Sequence, residues 1–297
     1  MEFKQNYNLA KHTWWKVGGS ADWAAFPQSV EDIIQACRWA REKKLPITVL
    51  SGGSNVLVSD EGVAGLVIVL TQFSKMESVT IAGHKTSAVC QAGLPKSELL
   101  KVFVKQRQSA AIFLAGLPGD VGGGVVMNAG VGHEIHPKEF CEIVEWVEWI
   151  DLASPDFKLL RKNKSELEWS YRKTKGWQPG IITRVGIAWE EPPDDTVLKR
   201  LQDSNKRRMA TQPLHLPSCG SVFKNPPGNK SGRLIEECGL KGYQVGGAQV
   251  SEKHANFIVN IGGATAKDIE SVRRHIQSTV KALKGVELET EYIFLGR

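Results

Sequence analysis

Apolar positions recur along this chain at two spacings, and each spacing predicts its own element. Ile33, Ile34, Cys37 and Ala40 lie three or four residues apart, the stripe of a helix packed on one side. Ser29 stands just before the stripe with Asp32 three residues on, the pair that closes a capping box, and Pro46 lies beyond its end. The short apolar run 47–50 predicts a buried strand that meets a glycine cluster. Further strands are predicted at 56–58 and 66–70, on either side of a turn containing Gly62 and Gly65. Leu99, Leu100, Val102 and Phe103 stripe a helix beginning near Pro95, while 87–91, 143–152 and 181–189 have strand character. Toward the C-terminus a strand is expected at 255–260. Thr265 and Asp268 then cap a helix carrying Ile269, Val272, Ile276, Val280 and Leu283 at helical spacing. Residues 286–295 alternate. Val286, Leu288, Thr290, Tyr292 and Phe294 share one face, which leaves Glu287, Glu289, Glu291 and Ile293 on the other.

This order of elements is α/β, grading into α+β. Three parts are expected, at 1–70, 71–190 and 191–297. The last boundary falls in the run 190–195, where two prolines among four carboxylates can continue neither helix nor sheet. The 297 residues carry a net charge of +6, with lysines and arginines scattered rather than gathered in a tail. That surplus favours an anionic partner, nucleic acid or phosphorylated metabolite, without choosing between them. Five cysteines, none in a CxxC pair, give no zinc-ligand spacing and suit a reducing compartment. Residues 1–9 lack an apolar signal core, and no apolar run approaches the ~20 residues that span a bilayer. A cytoplasmic protein without a metal site is expected.

Candidate chemistry lies first in the glycines. The clusters 51–55 and 116–124 are each expected to follow a strand and to present backbone N–H groups that a diphosphate can approach. Neither is a Walker loop nor a GxGxxG fingerprint opening a helix, and each alone is equally a tight turn. In the segment 217–226, Ser221 lies between Gly220 and Val222 with Lys224 and Asn225 beside it. The GxSxG context of a hydrolase nucleophile is absent, so Ser221 by itself is more a turn residue than a nucleophile. Arg172 stands among aromatics, suited either to forking onto a carboxylate or to covering apolar surface. Glu291, taken alone, is a solvent-facing carboxylate.

Seven segments together resemble a known family. They are His12-Thr-Trp-Trp-Lys-Val-Gly-Gly19, Ser51-Gly-Gly-Ser-Asn-Val-Leu-Val-Ser-Asp60, Ala115-Gly-Leu-Pro-Gly-Asp-Val-Gly-Gly123 with Met127-Asn-Ala-Gly130, Tyr171-Arg172, the stretch 217–226, Gly246-Gly-Ala-Gln-Val-Ser251 with His254-Ala-Asn-Phe257, and Leu288-Glu-Thr-Glu291. In this order, along nearly the whole chain, they resemble the UDP-N-acetylenolpyruvoylglucosamine reductases, also called UDP-N-acetylmuramate dehydrogenases, in the branch with the shorter substrate domain.

The resemblance implies a two-part FAD-binding fold of the vanillyl-alcohol-oxidase (PCMH) type, followed by a C-terminal α/β substrate-binding domain whose last strand packs back toward the FAD site. It implies non-covalently bound FAD, NADPH as co-substrate, and a monomer that reduces the enolpyruvyl ether of a UDP-sugar in peptidoglycan precursor synthesis, with neither nucleic acid nor membrane as partner. Gly52, Gly53, Ser54, Asn55, Gly116, Pro118, Gly119, Gly122, Gly123 and Asn128 match the FAD-holding positions, and Tyr171, Lys224 and Asn225 match positions near the substrate. Arg172 and Glu291 match the pair acting at the enolpyruvyl carboxylate, and Ser221 matches the proton donor to C2. The three are expected to converge beside the flavin.

Some residues depart from the family pattern. Ser51 stands where glycine is usual, and Thr174 replaces a common serine. Trp14 and Trp15 are bulkier than usual. Asp120 stands where serine or threonine is common. A carboxylate there repels phosphate unless it points to solvent, so Asp120 is left outside the expected site. The alternatives at this level are an FAD-dependent alcohol or sugar oxidase of the same fold and a non-catalytic basic protein that binds nucleotide or nucleic acid.

Overall fold

A computed structural model describes residues 1–131 and 135–297. The chain opens with strands β1 (Phe3–Asn8) and β2 (Ser20–Ala25), helix α1 (Val30–Glu42), and strands β3 (Ile47–Leu50), β4 (Val56–Val58) and β5 (Val63–Val69). Strands β6 (Met76–Ala82) and β7 (Lys85–Gln91) precede helices α2 (Lys96–Lys105), α3 (Ala110–Ala115), α4 (Val121–Val126) and α5 (Phe140–Ile143). Then come β8 (Val144–Asp151), β9 (Leu159–Asn163), β10 (Glu168–Ser170), β11 (Lys173–Lys175) and β12 (Gly180–Glu190). The chain ends through α6 (Val197–Thr211), α7 (Ser231–Glu237), β13 (Gln244–Val245), β14 (Ala248–Val250), β15 (Ile258–Asn260), α8 (Ala266–Lys284) and β16 (Ile293–Leu295). Among the described residues no helix is long and apolar enough to cross a membrane.

Two compact units divide the chain. One takes residues 1–3, 24–52 and 66–206; the other takes 4–23, 53–65 and 207–297. In the first unit α1 starts as its sequence predicts. The Ser29 hydroxyl accepts from the Asp32 N–H at 3.0 Å, and the Asp32 carboxylate accepts from the Ser29 N–H at 3.2 Å. Ile33, Ala36, Cys37 and Ala40 are its buried face. Strand β3 pairs in parallel with the end of β5, from Ile47 opposite Leu66 to Leu50 opposite Val69. Leu66 to Val69 are all buried, the continuous apolar run of a strand covered on both faces. Strand β5 starts at Val63, earlier than the turn residues suggest; its first residues, 63–65, belong to the second unit, where Gly65 takes φ +80° and Asp22 accepts its N–H at 2.9 Å.

The larger sheet of this unit is antiparallel, in the order β6-β7-β12-β8-β9. The cluster 116–124 differs from its prediction. It follows helix α3 rather than a strand, and Gly122, Gly123 and Gly124 lie inside α4. Close packing explains two of these glycines in a helix. A Cβ on Gly122 would stand 2.8 Å from the Ala92 side chain, and one on Gly124 would stand 2.7 Å from the Phe140 ring.

In the second unit, β13, β14 and β15 form a three-stranded sheet and β16 pairs in parallel with β4. Helix α8 begins at the predicted capping box of Thr265 and Asp268. The Asp60 carboxylate accepts two more of its N-terminal N–H groups, from Ala266 at 2.8 Å and Lys267 at 2.9 Å. Ile269, Val272, Ile276 and Val280 are buried in one core with Trp15, Leu57 and Phe223. Leu283 is not; the last turn of α8 runs past that core, and this side chain is 65% exposed. Strand β15 is shorter than predicted because residues 251–257 close a turn, with Ser251 N–H on Phe257 O and Phe257 N–H on His254 O. In 286–295 the alternation holds at Leu288 and Tyr292, which are buried, but fails at Phe294, which is 46% exposed where the chain becomes β16.

Candidate functional site

The first glycine turn follows β3. Gly53 has φ +60°, and a Cβ there would stand 1.8 Å from the His12 carbonyl oxygen, so only glycine fits. The Trp14 N–H binds Gly53 O at 3.0 Å. Asn55 ends the turn by donating from its side chain to Glu291 O at 3.1 Å, while its own carbonyl accepts from the Ile293 N–H at 3.0 Å. The turn predicted for a cofactor thus holds the backbone that follows the predicted carboxylate.

At the start of that turn stands Asp120. It is buried rather than turned to solvent, accepting from the Ser51 hydroxyl at 2.6 Å and from the Gly52 N–H. A Cβ on Gly52 would lie 2.8 Å from the Asp120 carboxylate, so the two are in close contact. Lys96, also buried, donates to Pro118 O at 2.7 Å and lies over the Phe140 ring. Burial pushes the Asp120 carboxyl up, and Ser51, Lys96 and the Gly52 N–H draw it partly back. Burial lowers Lys96 to about 8 against the pull of Asp120.

The second cluster turns at Gly119, with φ +80°, whose carbonyl accepts the Lys96 N–H at 3.0 Å. A Cβ on Gly116 would meet the Val131 side chain at 2.6 Å, whereas one on Gly123 would meet nothing within 4 Å. The bare backbone at Gly123 therefore faces open space, a surface that suits a diphosphate and so fits FAD.

Asn128 is fully buried at φ +36°. Its side chain donates to Glu139 at 2.8 Å and to Ser170 O at 3.2 Å and accepts the Cys141 N–H at 3.1 Å. Both its amide hydrogens are therefore used inside the protein, one at the start of α5 and one on the strand that leads to Arg172. Tyr171 and Arg172 form the turn of the β10–β11 hairpin, where Ser170 pairs with Lys173. Arg172 has φ +59°, its guanidinium donates to Gly130 O at 3.2 Å, and it lies 4.8 Å from the exposed Tyr171 ring. Thr174, buried, fixes the hairpin by donating to Val125 O at 2.6 Å. The glycine-rich segment thereby seats the arginine.

In the second unit the structure brings Ser221 and Glu291 onto adjacent segments. Phe223 and Thr290 form an antiparallel bridge, and the Glu291 N–H binds Val222 O at 2.8 Å. Ser221 is half-buried and follows Gly220 at φ +83°. Asn256 braces the other side. Its backbone carbonyl accepts the Val222 N–H at 2.8 Å, and its side chain accepts the Phe223 N–H at 3.0 Å and donates to Phe223 O at 2.9 Å. Lys224 is ion-paired with Glu289, and Asn225 accepts the Ser231 N–H at 3.0 Å, where α7 begins. Cys219 is buried next to them, its thiol pushed well up by burial and by Glu291.

Asn256 and Lys96 carry no sequence signal that separates them from ordinary polar residues, and Asp120 stands out only as a departure from the family pattern; burial and partners are what mark all three. The expected site residues divide between the units. Arg172, Tyr171, Gly52 and the second glycine cluster belong to the first, and Gly53, Ser54, Asn55, Ser221, Lys224, Asn225 and Glu291 to the second.

Known proteins share this order of parts. The family described as FAD binding domain matches residues 21–154, and the C-terminal domain of UDP-N-acetylenolpyruvoylglucosamine reductase matches residues 212–295. The UDP-N-acetylenolpyruvoylglucosamine reductase of Limosilactobacillus reuteri is 39% identical over 298 residues, covering 100% of this chain and 96% of its own. That of Caldanaerobacter subterraneus is 38% identical over 98% of this chain and 93% of its own. The crystal structure of UDP-N-acetylenolpyruvylglucosamine reductase from Thermus caldophilus aligns with a TM-score of 0.78 at 33% identity, covering 99% of this chain and 98% of that one. The expected fold, an FAD-binding part followed by a C-terminal domain, is the one found, and similarity along the full length sets aside both the non-catalytic and the oxidase alternatives. The chain belongs to the UDP-N-acetylenolpyruvoylglucosamine reductases, FAD-dependent oxidoreductases of peptidoglycan precursor synthesis.

Proposed function

We propose that this chain reduces UDP-N-acetylglucosamine enolpyruvate to UDP-N-acetylmuramate with NADPH as electron donor. Bound FAD would supply the hydride chemistry that links NADPH to C3 of the enolpyruvyl group. The chain's own residues must then manage the charge left behind, which spreads from C2 into the carboxylate. Arg172 presents a planar fork of N–H donors that matches a carboxylate gaining enolate character. Ser221 Oγ gives a proton to C2. A hydroxyl is a weak acid, so the transfer requires a strongly basic carbon, which hydride addition at C3 creates. Glu291 works at the same oxygens holding or sharing a proton, since a bare carboxylate would repel the growing charge.

The observation that carries this reading is the pairing of the Ser221 and Glu291 segments, with the Glu291 N–H on Val222 O at 2.8 Å and Asn55 on the other flank of Glu291. In the same reading Gly52, Gly53, Ser54, Asn55, Gly116, Pro118, Gly119, Gly122 and Gly123 hold FAD. Asn128 contributes through its backbone and by steadying the strand before Arg172. Tyr171, Lys224 and Asn225 receive the UDP-sugar, Lys224 by exchanging its Glu289 partner for substrate. Residues 1–70 and 71–190 form the two FAD-binding parts and 191–297 the substrate domain, in a monomer that works in the cytoplasm.

The test is an anaerobic single turnover of wild type and Ser221→Ala. NADPH should reduce both at the same rate, and with the UDP-sugar the variant's product formation should slow by ~10²–10⁴-fold, the usual worth of a positioned acid. Wild-type product formation by Ser221→Ala would remove the proposed proton donor.

A further inference from the structure

Asp120 is the residue whose chemistry the proposed function leaves unused, and its surroundings give it a task. A carboxylate among glycines that face a diphosphate ought to weaken binding. Here it is not directed at the ligand surface. It stands at the N-cap of α4, yet its side chain makes no cap hydrogen bond and is turned instead to Ser51 and Gly52. Its backbone bridges to Pro95, one residue before Lys96, and the Lys96 side chain and backbone hold Pro118 O and Gly119 O. Two buried side chains, Lys96 and Asp120, therefore serve a single loop.

We infer that Asp120 is a positioning residue of the cofactor cradle, clasping Ser51 and Gly52 to the Gly119 turn, which Lys96 also holds through Pro118 O and Gly119 O. Because it has no side chain, Gly52 can come within contact distance of the carboxylate, and Ser51 supplies the hydroxyl that a glycine could not. The 2.6 Å bond from the Ser51 hydroxyl to Asp120 joins the two glycine segments directly. The clasp presents backbone at a fixed spacing, and the expected consequence is slow loss of FAD. This inference rests on the reading that the two glycine segments hold the FAD diphosphate.

The experiment follows FAD release from the purified holoenzyme by the rise of free-flavin fluorescence after dilution. Ser51→Ala should speed release ~3–10-fold and Asp120→Ala ~10–100-fold, as expected for losing one and then more than one charge-assisted hydrogen bond. The double variant should match Asp120→Ala within about twofold, since the two residues make the same bond. Asp120→Asn, which keeps one acceptor, should fall between wild type and Asp120→Ala, a rescue that mere loop damage would not show.

Gly123→Ala separates this inference from the reading beneath it. The added methyl enters open space and suits helix α4, so the fold should be unharmed while FAD release quickens. If Gly123→Ala releases FAD faster but Asp120→Ala and Ser51→Ala do not, the clasp is wrong and the cradle stands. If their effects instead add in the double variant, the two residues act separately and the clasp is likewise wrong. An unchanged rate in Gly123→Ala overturns the cradle and the clasp with it. If Asp120→Ala does not fold, Asp120→Asn and Ser51→Ala with their double variant carry the same comparison.

Discussion

At the scale of single residues, the site depends on positions where one atom more or less decides the outcome. Gly53 combines φ +60° with a carbonyl oxygen where a methyl would have to go. Gly53→Ala should therefore cost ~2–4 kcal/mol of unfolding free energy, above the usual price of a strained backbone because the His12 carbonyl must also move. Urea denaturation checks this, and a loss under 1 kcal/mol would mean the turn relaxes freely. Asn256→Ala should cost ~2–3 kcal/mol by leaving the buried Phe223 N–H and C=O unpaired, and should slow product formation because the Ser221 segment loses its brace. Steady-state rates alongside denaturation separate the two effects. Ser221, Arg172, Glu291 and the glycines became candidates only through the runs around them, which resemble those of a known family. Asn256 and Lys96 did not. An asparagine or lysine in a string of letters looks solvated until the fold removes water from around it.

At the scale of elements, capping boxes and apolar stripes carried over with few changes, since a helix start depends on residues within four positions of one another. Antiparallel pairing adds what local rules omit. In the five-stranded sheet Arg184 lies opposite both Gln91 and Glu148, and the nearly buried Glu148 carboxylate takes Arg184 at 2.9 Å, Arg161 at 2.9 Å and Thr183 at 3.2 Å. Burial alone would raise this carboxyl, but the hydrogen bonds from Arg184 and Arg161 outweigh it and hold the group below the usual range. A carboxyl depressed in the folded state contributes stability above its unfolded pKa and loses it as pH falls through the lower, folded value. The wild type should accordingly lose this contribution below about pH 4.5, the ordinary range for a glutamate. Glu148→Gln should be ~2 kcal/mol less stable at neutral pH, discounted because Arg161 is half-exposed, and should show a flatter acid limb. Melting curves from pH 7 to pH 3 on both proteins test this. Parallel acid limbs would mean that Glu148 titrates as an unpaired residue.

At the scale of the whole molecule, each unit is assembled from three separate stretches of chain, so the order of residues gives little warning of which segments become neighbours. The FAD-binding part brings one more testable consequence. A ligand bound by the folded state alone stabilises it by ~2.7 kcal/mol at a hundredfold excess over its dissociation constant. Stripping FAD should therefore lower the melting temperature by several degrees, and adding FAD back should restore it in a concentration-dependent way. Calorimetry of stripped and reloaded protein checks this, and coincident melting curves would mean that FAD does not bind the folded state selectively. The amino-acid order by itself determined the class of fold, the starts of α1, α2 and α8, about half of the strand positions and the run of motifs that places the chain among these reductases, because all of those depend on local spacing and residue type. Tertiary structure alone decided that three glycines lie within a helix, that Leu283 and Phe294 face outward, that Asn55 flanks Glu291, and that Asp120 is buried against Ser51. Those outcomes turn on which distant segments exclude water from one another, and burial and charge balance exist only once the chain has closed on itself.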